Sequence, residues 1–392
     1  MMFSMNKIWT RLLSAFLTIA IMLSVLPTAA FAEDAETVYE ITNEADLAAL
    51  GGKDITGDIE LRADLDMADT DMQPIASFSG NFHGNGYKIA NLTITAELSE
   101  RLSYKDPNQG AALFAKFSGS ASDIVFENPR ITLNKGERTG VAVLAGTVED
   151  TAATIQNCAV IGGSVCINAE KTDYQAALVG CTQNAELTIQ NCFSSAAVSY
   201  TGTARSCTNY AGGLIGYLYN VALTVENSAV LGDVSAHGTS GYAGGLVGII
   251  NGSNSGKAIS FTNCYFAGAV AGGTKYGFAY SGRYAYPNIT ISNCYYDKTK
   301  NSGKTFACFH SNAATTQAVQ GLPTDEFATL DLGDAFRQKD GYPLPAWYVI
   351  SQGSHTLTIT VQPADAIVAL TDADAQPITL LGDSGRYTCT LA

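Results

Sequence analysis

The stretch "AGGLVGIINGSNSGKAISFTNCYF", residues 243–266, joins a glycine-rich Gly-Leu element to an apolar run that ends in Asn263-Cys264. Taken alone, such a glycine cluster is compatible with a turn, a bulge or a close contact between backbones. Its meaning therefore depends on whether the same order of residues occurs elsewhere in the chain.

Both elements recur in a fixed order along the 392-residue chain. The Gly-Leu element repeats at steps of 31, 34, 36 and 32 residues, aligned on Leu113, Leu144, Leu178, Leu214 and Leu246, and a degraded copy "YGFAYSG" follows at 276–282. The second element aligns on Asn128, Asn157, Asn191, Asn227, Asn263 and Asn293. Two elements that keep their order in this way indicate an array of structural repeats.

The repeated segments are short, rich in Val, Ile, Thr and Phe, and bounded by Gly, Asn and Ser, which favours strands over helices. No segment supplies the amphipathic helices that a helical solenoid of similar period needs. We therefore predict an all-β chain, with a right-handed parallel β-helix over residues 33–350. Each repeat forms one coil of about three strands, and the coils stack about 4.8 Å apart.

Stacked coils place equivalent residues on top of one another. The five aligned leucines are predicted to point inward as an apolar ladder, while the glycines beside them bend the chain and keep side chains off the next coil. The asparagines are predicted to occupy a corner, where each side-chain amide bonds to the amide one coil away, at Asn157, Asn191, Asn227, Asn263 and Asn293. The alternative is an asparagine-lined ligand site.

Residues 1–32 read as a signal peptide. Lys7 and Arg11 precede an apolar run, and Ala30-Phe31-Ala32 is a typical cleavage site. An uncleaved anchor or a buried helix is the alternative. We expect a secreted or cell-surface protein with no membrane span in the mature chain. The formal charge of −14 and the lack of a basic cluster exclude a nucleic-acid partner.

The repeats resemble a known family. "GGLIG" and "GGLVG" with trailing "TNCYF" and "SNCYY" are similar to the GLUG-type repeats of bacterial surface and adhesin-like proteins, which also accompany IgA-specific metalloendopeptidases. Residues 41–94 resemble the first coil of such β-helices, and "GYPLPAW" at 341–347 resembles the segment that closes the array. The resemblance implies a β-helical scaffold and, by itself, no activity.

A different pattern follows Trp347. Residues 355–392 alternate strand-like runs with turn signals and resemble the first strands of a small Ig-like or PEGA-type domain. We predict an incomplete β-sandwich over residues 351–392, and expect the chain to be part of a longer surface protein.

Few residues offer catalytic chemistry. The sequence has four histidines without H-E-x-x-H, nine cysteines without C-x-x-C, and no G-x-S-x-G. We predict no catalytic residue, no metal site and no cofactor. The acidic stretch "DLDMADTD", residues 64–71, is open to three interpretations, namely a structural turn, a Ca²⁺ site or a catalytic carboxylate pair.

Four cysteines follow a repeat asparagine, at Cys158, Cys192, Cys264 and Cys294. In stacked coils they would form one column. We predict buried free thiols, and cross-coil disulfides are the alternative.

Seven of the chain's 19 tyrosines fall within residues 265–296. Aromatic rings with phenol groups suit sugars, so the predicted ligand-binding residues are Tyr276, Tyr280, Tyr284 and Tyr286. A packed capping coil is one alternative, because terminal repeats are atypical, and a protein-contact patch is another.

Two functions remain open at this point. The first is an exported non-catalytic β-solenoid that acts as a stalk or adhesin and contacts a host glycan or surface protein. The second is the scaffold region of a larger secreted hydrolase, active on peptides or glycans, whose catalytic domain lies outside this chain. A β-helix lyase is a third and weaker reading.

Overall fold

The structure is a computed structural model. It describes residues 37–99, 109–203, 207–252, 257–281, 288–301, 319–351, 355–360, 370–371, 377–378, 381–383 and 386–391. The predicted signal peptide lies outside these residues. Strands dominate the described chain, which confirms the all-β class. No helix within the described ranges is long and apolar enough to cross a membrane.

Four sheets of parallel strands build the solenoid. Sheet 1 has sixteen strands, Val38–Ile41, Asp58–Leu61, Leu65–Asp66, Asn81–His83, Lys88–Ala90, Gly119–Glu127, Ala152–Ile161, Glu186–Gln190, Phe193–Ser194, Ala222–Glu226, Ala229–Val230, Ala258–Thr262, Tyr265–Phe266, Asn288–Ser292, Cys294–Asp297 and Val319–Leu322. Sheet 2 has eight strands, Asp54–Ile55, Ile75–Phe78, Phe114–Phe117, Ala145–Glu149, Val179–Gln183, Ile215–Tyr219, Val247–Asn251 and Ala279–Ser281.

Sheets 3 and 4 have six strands each. Sheet 3 comprises Thr93–Glu97, Arg130–Lys135, Ser164–Ile167, Ala197–Tyr200, Val234–Ser235 and Val270–Ala271. Sheet 4 comprises Gln109–Ala111, Thr139–Val141, Tyr174–Gln175, Tyr210–Gly212, Tyr242–Gly244 and Thr274–Tyr276. Residues 38–90 alternate between sheets 1 and 2, and from Gln109 to Ala271 the chain passes through sheet 4, sheet 2, sheet 1 and sheet 3 in turn in each coil. The predicted parallel β-helix is therefore confirmed, with four sides where about three strands per coil were predicted.

The leucine ladder lies between sheets 4 and 2. The residue after each leucine pairs in register with its equivalent, as in Val179 with Ile215 and Ile215 with Val247. Backbone bonds link the leucines themselves, since Leu178 N donates to Leu214 O at 3.2 Å and Leu214 N donates to Leu246 O at 2.9 Å. All five leucine side chains are fully buried in one continuous apolar core.

The glycine pair before Leu214 allows two close backbone contacts, whereas Ala176 and Ala177 occupy the equivalent positions before Leu178. A Cβ added to Gly212 would lie 1.9 Å from the carbonyl oxygen of Ile215, so the sheet 4 and sheet 2 strands of one coil touch. A Cβ on Gly213 would lie 2.2 Å from the carbonyl oxygen of Gly245 in the next coil. Neither position has a positive φ. Close approach rather than a left-handed backbone therefore explains these glycines. We call the first contact, between the sheet 4 and sheet 2 strands of one coil, the glycine crease.

A second repeated feature is a left-handed bend inside sheet 1. Its five predicted asparagines have φ between 49° and 53°, namely Asn157, Asn191, Asn227, Asn263 and Asn293. Side-chain amides bond from coil to coil, because Asn191 Nδ2 donates to Asn157 Oδ1 at 3.0 Å and Asn263 Nδ2 donates to Asn227 Oδ1 at 3.1 Å. Asparagine tolerates this conformation better than most residues.

The alignment on Asn128 was wrong. Asp123, with φ 57°, occupies the equivalent bend, and Asn157 Nδ2 donates to its Oδ1 at 2.7 Å. Asn128 belongs to a later bend, where its backbone N–H bonds to Ile161 O. A further column of left-handed residues, which the repeat pattern did not reveal, follows sheet 2 at Asp150, Asn184 and Asn220.

The parallel strands end at Leu322, and residues 324–351 form a segment that we call the strap. It contains a 3-10 helix Thr324–Thr329, an antiparallel hairpin Phe336–Lys339 with Tyr342–Pro345, and an α-helix Ala346–Ser351. Elsewhere in the described residues, the short helices are Glu44–Ala48 and the 3-10 helix Met67–Asp69.

The strap packs against the outer side of sheet 1 instead of forming another coil. Its apolar side chains share a cluster with sheet 1 residues of several coils, from Val125 to Tyr265. Tyr265 Oη donates to Pro343 O at 2.7 Å, and Trp347 Nε1 donates to Asn191 O at 2.6 Å. The segment "GYPLPAW" therefore lies along the flank of the array.

The described strands after Ser351 are antiparallel, as in the hairpin of the strap. His355–Thr360, Arg386–Leu391 and Leu381–Asp383 form one sheet, and Leu370–Thr371 pairs with Pro377–Ile378. A small antiparallel β region thus follows the solenoid, while its assignment as an incomplete sandwich stays a prediction.

The glycine crease gives a direct test of the fold. Gly212→Ala should lower the free energy of unfolding by about 2 kcal/mol, because the new Cβ would lie 1.9 Å from the Ile215 carbonyl oxygen and the backbone must shift. Gly238→Ala is the matched control, since no atom lies within 4 Å of its added Cβ, and its effect should stay within about 1 kcal/mol. Urea unfolding of both variants measures this, and equal stabilities would contradict the described crease.

Candidate functional site

The predicted tyrosine platform is described only in part. Tyr276 is half-buried on sheet 4 and pairs in register with Gly244. The backbone of Tyr280 lies in strand Ala279–Ser281, but its side chain, like Tyr284 and Tyr286 entirely, lies outside the described residues. The platform therefore stays a prediction.

A different group of tyrosines is brought together by the coils. Tyr174, Tyr210 and Tyr242 occupy equivalent positions on adjacent strands of sheet 4. Tyr217 joins them from sheet 2, with its ring 4.4 Å from that of Tyr174 and 5.5 Å from that of Tyr210. Ring centroids are 5.8 Å apart for Tyr174 and Tyr210, and 5.3 Å apart for Tyr210 and Tyr242. We call these four residues the tyrosine stripe.

The local sequence explains the stripe. Tyr174, Tyr210 and Tyr242 each precede a ladder leucine by four residues, in "YQAAL", "YAGGL" and "YAGGL". The next residue of each strand points inward, so the tyrosine points outward. The tyrosine four residues before a ladder leucine is visible in the sequence. It is recognised by aligning the repeats with one another, whereas the local density of tyrosines along the chain points to residues 265–296.

The rings pack on one another, which decides what the stripe offers a ligand. Tyr174 is 5% exposed, and the other three rings are half-buried. Burial raises the pKa of Tyr174 and of Tyr217 above the usual tyrosine value, so both phenols stay protonated at neutral pH. Because the ring faces contact each other, the stripe presents ring edges and hydroxyl groups.

A buried polar corner adjoins the stripe. Asp173 is fully buried, and its Oδ1 accepts a hydrogen bond from Thr139 N at 2.7 Å. Among the described residues, Asp173 Oδ2, Thr139 Oγ1 and Asn209 Nδ2 have no hydrogen-bond partner. Burial raises the pKa of Asp173 to about 6. The corner thus holds a carboxylate that is costly to ionise.

The acidic stretch acts as a turn. Asp64 Oδ1 accepts from Lys88 N at 3.0 Å, and Asp66 Oδ1 accepts from Ala68 N at 3.2 Å at the start of the 3-10 helix. A hydrogen bond from the Asn91 side chain lowers the pKa of Asp66. These contacts favour the structural interpretation. In the described part of the chain, no three or more His, Cys, Asp or Glu side chains are grouped to hold a metal ion.

The cysteines behind the asparagine bend form a buried column. Each Sγ donates to the carbonyl two residues earlier, at 3.2 to 3.3 Å, in Cys158, Cys192, Cys264 and Cys294. Ser228 Oγ makes the same bond to Glu226 O at 2.8 Å. All four thiols are free in the structure. Burial raises the pKa of Cys158 and Cys264, which disfavours reactive thiolates.

Stability should depend on pH through Asp173. Its pKa of about 6 in the folded chain exceeds the usual 3.8, so the folded state holds the proton more tightly, and stability falls as pH rises through about 6. Between pH 5 and pH 7.5 the unmodified chain should lose about 1 kcal/mol that Asp173→Asn does not lose.

Urea unfolding of both chains at the two pH values measures this difference. Asp325→Asn, at an exposed aspartate of the strap, is the control and should behave as the unmodified chain. The same pH dependence in Asp173→Asn and the unmodified chain would show that the buried carboxyl does not titrate in this range.

Comparison with known proteins identifies the fold. No family profile matches the chain. No curated protein matches it either. Among solved structures, it is similar to a protein described as a "putative immunoglobulin A1 protease" from Bacteroides ovatus, with a TM-score of 0.57 and 21% sequence identity. The similarity covers 79% of this chain and 93% of that one. The chain therefore shares the fold of that protein.

Proposed function

We propose that the solenoid is a non-catalytic region of an exported bacterial surface protein, acting as a stalk or adhesin, and that the tyrosine stripe is its contact surface for a glycan. The observation that carries the proposal is the alignment of Tyr174, Tyr210 and Tyr242 on three successive coils. Phenol groups supply hydrogen bonds and ring edges supply apolar contact, a combination that suits sugars.

The glycan is favoured over other ligands by charge and shape. A net charge of −14 disfavours polyanions. A stripe that crosses successive coils suits an extended chain rather than a compact small molecule. The Gly-Leu and Asn-Cys order supports a GLUG-type surface protein, and the signal-like N-terminus supports secretion. A PEGA-type C-terminal domain is part of the same proposal.

A second candidate function is the scaffold region of a larger secreted hydrolase. The observation in its favour is the fold shared with the Bacteroides ovatus protein. On this reading the solenoid positions a catalytic domain outside this chain. Incubation of the chain with immunoglobulin A, followed by mass spectrometry, should yield no cleavage products. Specific cleavage would contradict a non-catalytic role for this region.

The predicted platform at residues 276–286 is a second contact point in this proposal. Tyr276 lies on the same sheet as the stripe and one coil beyond Tyr242. A ligand that follows sheet 4 would therefore pass from the stripe towards Tyr276.

Removing the hydroxyl groups of the tyrosine stripe tests the proposal. A triple variant, Tyr210→Phe with Tyr217→Phe and Tyr242→Phe, keeps the rings and deletes three hydroxyls. Binding on a glycan array should weaken at least tenfold, because each lost hydrogen bond costs about 1 kcal/mol, while the melting temperature stays within a few degrees.

Tyr87→Phe provides the control, since this tyrosine is 36% exposed on another part of the solenoid. Unchanged glycan binding by the triple variant would show that the stripe is not the contact surface.

A further inference from the structure

A groove of about 400 Å³ lies on the outer side of sheet 2, in the coils before the tyrosine stripe. Its polar lining consists of Ser77, Ser79, Lys116, Ser118, Thr147, Glu149, Asp150 and Thr151, and Phe78 and Phe117 also contribute. Its volume lies in the range of small-molecule sites, and hydroxyl and charged groups make up a larger share of the lining than is usual for those sites. Such a lining suits a ligand with many hydroxyl groups.

The groove and the stripe belong to one continuous surface. The outward position of Ser77 pairs with Lys116, and Lys116 pairs with Thr147. The register continues through Cys181 to Tyr217, but Thr147 and Cys181 are fully buried, so this column is closed between the groove and the stripe. A neighbouring outward column continues from Glu149 through Gln183 to Tyr219. From Ser77 to Tyr217 there are four steps between coils, a distance of about 19 Å. A ligand that extends along the solenoid axis reaches both features.

The hydroxyls of the groove are oriented by the protein. Ser77 Oγ donates to Asp54 Oδ1 at 2.5 Å, Ser118 Oγ donates to Phe78 O at 3.2 Å, and Thr147 Oγ1 donates to Gln109 O at 3.1 Å. Thr147 is fully buried, so of these three only the half-buried Ser77 and Ser118 oxygens face a ligand. Because their protons are committed within the protein, these two oxygens act as acceptors. Sugar hydroxyls are donors that match them, and the Lys116 ammonium supplies donors for sugar oxygens.

Charge narrows the class of glycan. Glu149 and Asp150 outnumber the one lysine of the lining, and the whole chain carries −14. Uronic acid polymers and sulfated glycans would meet net repulsion here.

From these observations we propose that the groove is a binding site for a neutral linear oligosaccharide, which lies parallel to the solenoid axis and continues onto the tyrosine stripe. This inference rests on the proposed glycan-binding function and deepens it by naming the ligand class, a second part of the site and the direction of the chain. It concerns residues that are separate from the four tyrosines.

Calorimetric titration of the full chain tests the inference. The probes are neutral gluco-, manno- and xylo-oligosaccharides of two to six units, together with oligogalacturonate and heparin-derived oligosaccharides. Affinity for a neutral series should rise with chain length, and the acidic probes should bind at least tenfold more weakly.

The groove variant Lys116→Ala with Glu149→Ala should weaken binding of the longest neutral probe at least tenfold, with an unchanged melting temperature. The matched control is Glu326→Ala with Lys298→Ala, two exposed residues away from the groove and the stripe, which should bind as the unmodified chain.

The outcomes separate the two levels of the proposal. If the groove variant binds normally while the tyrosine variant loses binding, the groove inference is wrong and the proposed function stands. If acidic probes bind as tightly as neutral ones, the ligand class is wrong. If no glycan binds the unmodified chain, the inference and the proposed function fall together.

Discussion

The structure depends on the backbone contact at the glycine crease. There the sheet 4 strand of a coil touches its own sheet 2 strand, at a place where a Cβ on Gly212 would lie 1.9 Å from a carbonyl oxygen. At Gly212 only glycine fits such an approach. Similar close contacts occur at Gly110, Gly140 and Gly244, whereas Ala176 takes the position of Gly212 in the coil of Leu178. The buried leucines, the outward tyrosines and the groove on sheet 2 owe their alignment to these contacts together with the parallel strand pairing.

Stacked asparagine side chains also hold neighbouring coils together. At the left-handed bend of sheet 1, side-chain amides donate to the coil before, from Asn191 to Asn157, from Asn263 to Asn227 and from Asn293 to Asn263. A polar group that loses its partner away from water is costly. The asparagine bonds therefore favour the alignment of neighbouring coils in which each equivalent pair stays opposed. The strap adds a third restraint, since Trp347 and Tyr265 tie it to coils well separated in sequence.

Much of this architecture follows from sequence, and the reasons for the failures are physical. The leucines and most asparagines are predictable because stacking repeats them at nearly constant spacing. Asn128 was misplaced because aspartate also accepts the left-handed conformation, which let Asp123 take the bend without an asparagine to mark it. The strap escaped prediction because its contacts with Val125 and Phe193 join distant segments. The groove and the stripe require the cross-coil register, which periodicity along the chain does not supply.

The central claim is that aligned coils make the outer side of sheet 2 and the adjoining tyrosines into one binding surface. Its most direct test is photo-crosslinking of the full chain with a diazirine-labelled neutral oligosaccharide, with the labelled peptides mapped by mass spectrometry. The account predicts crosslinks at the outward positions of residues 114–119, 145–151 and 215–219, and at Tyr210 or Tyr242, all suppressed by excess unlabelled sugar. Competable labelling confined to the outer side of sheet 1 or to sheet 3 would contradict it.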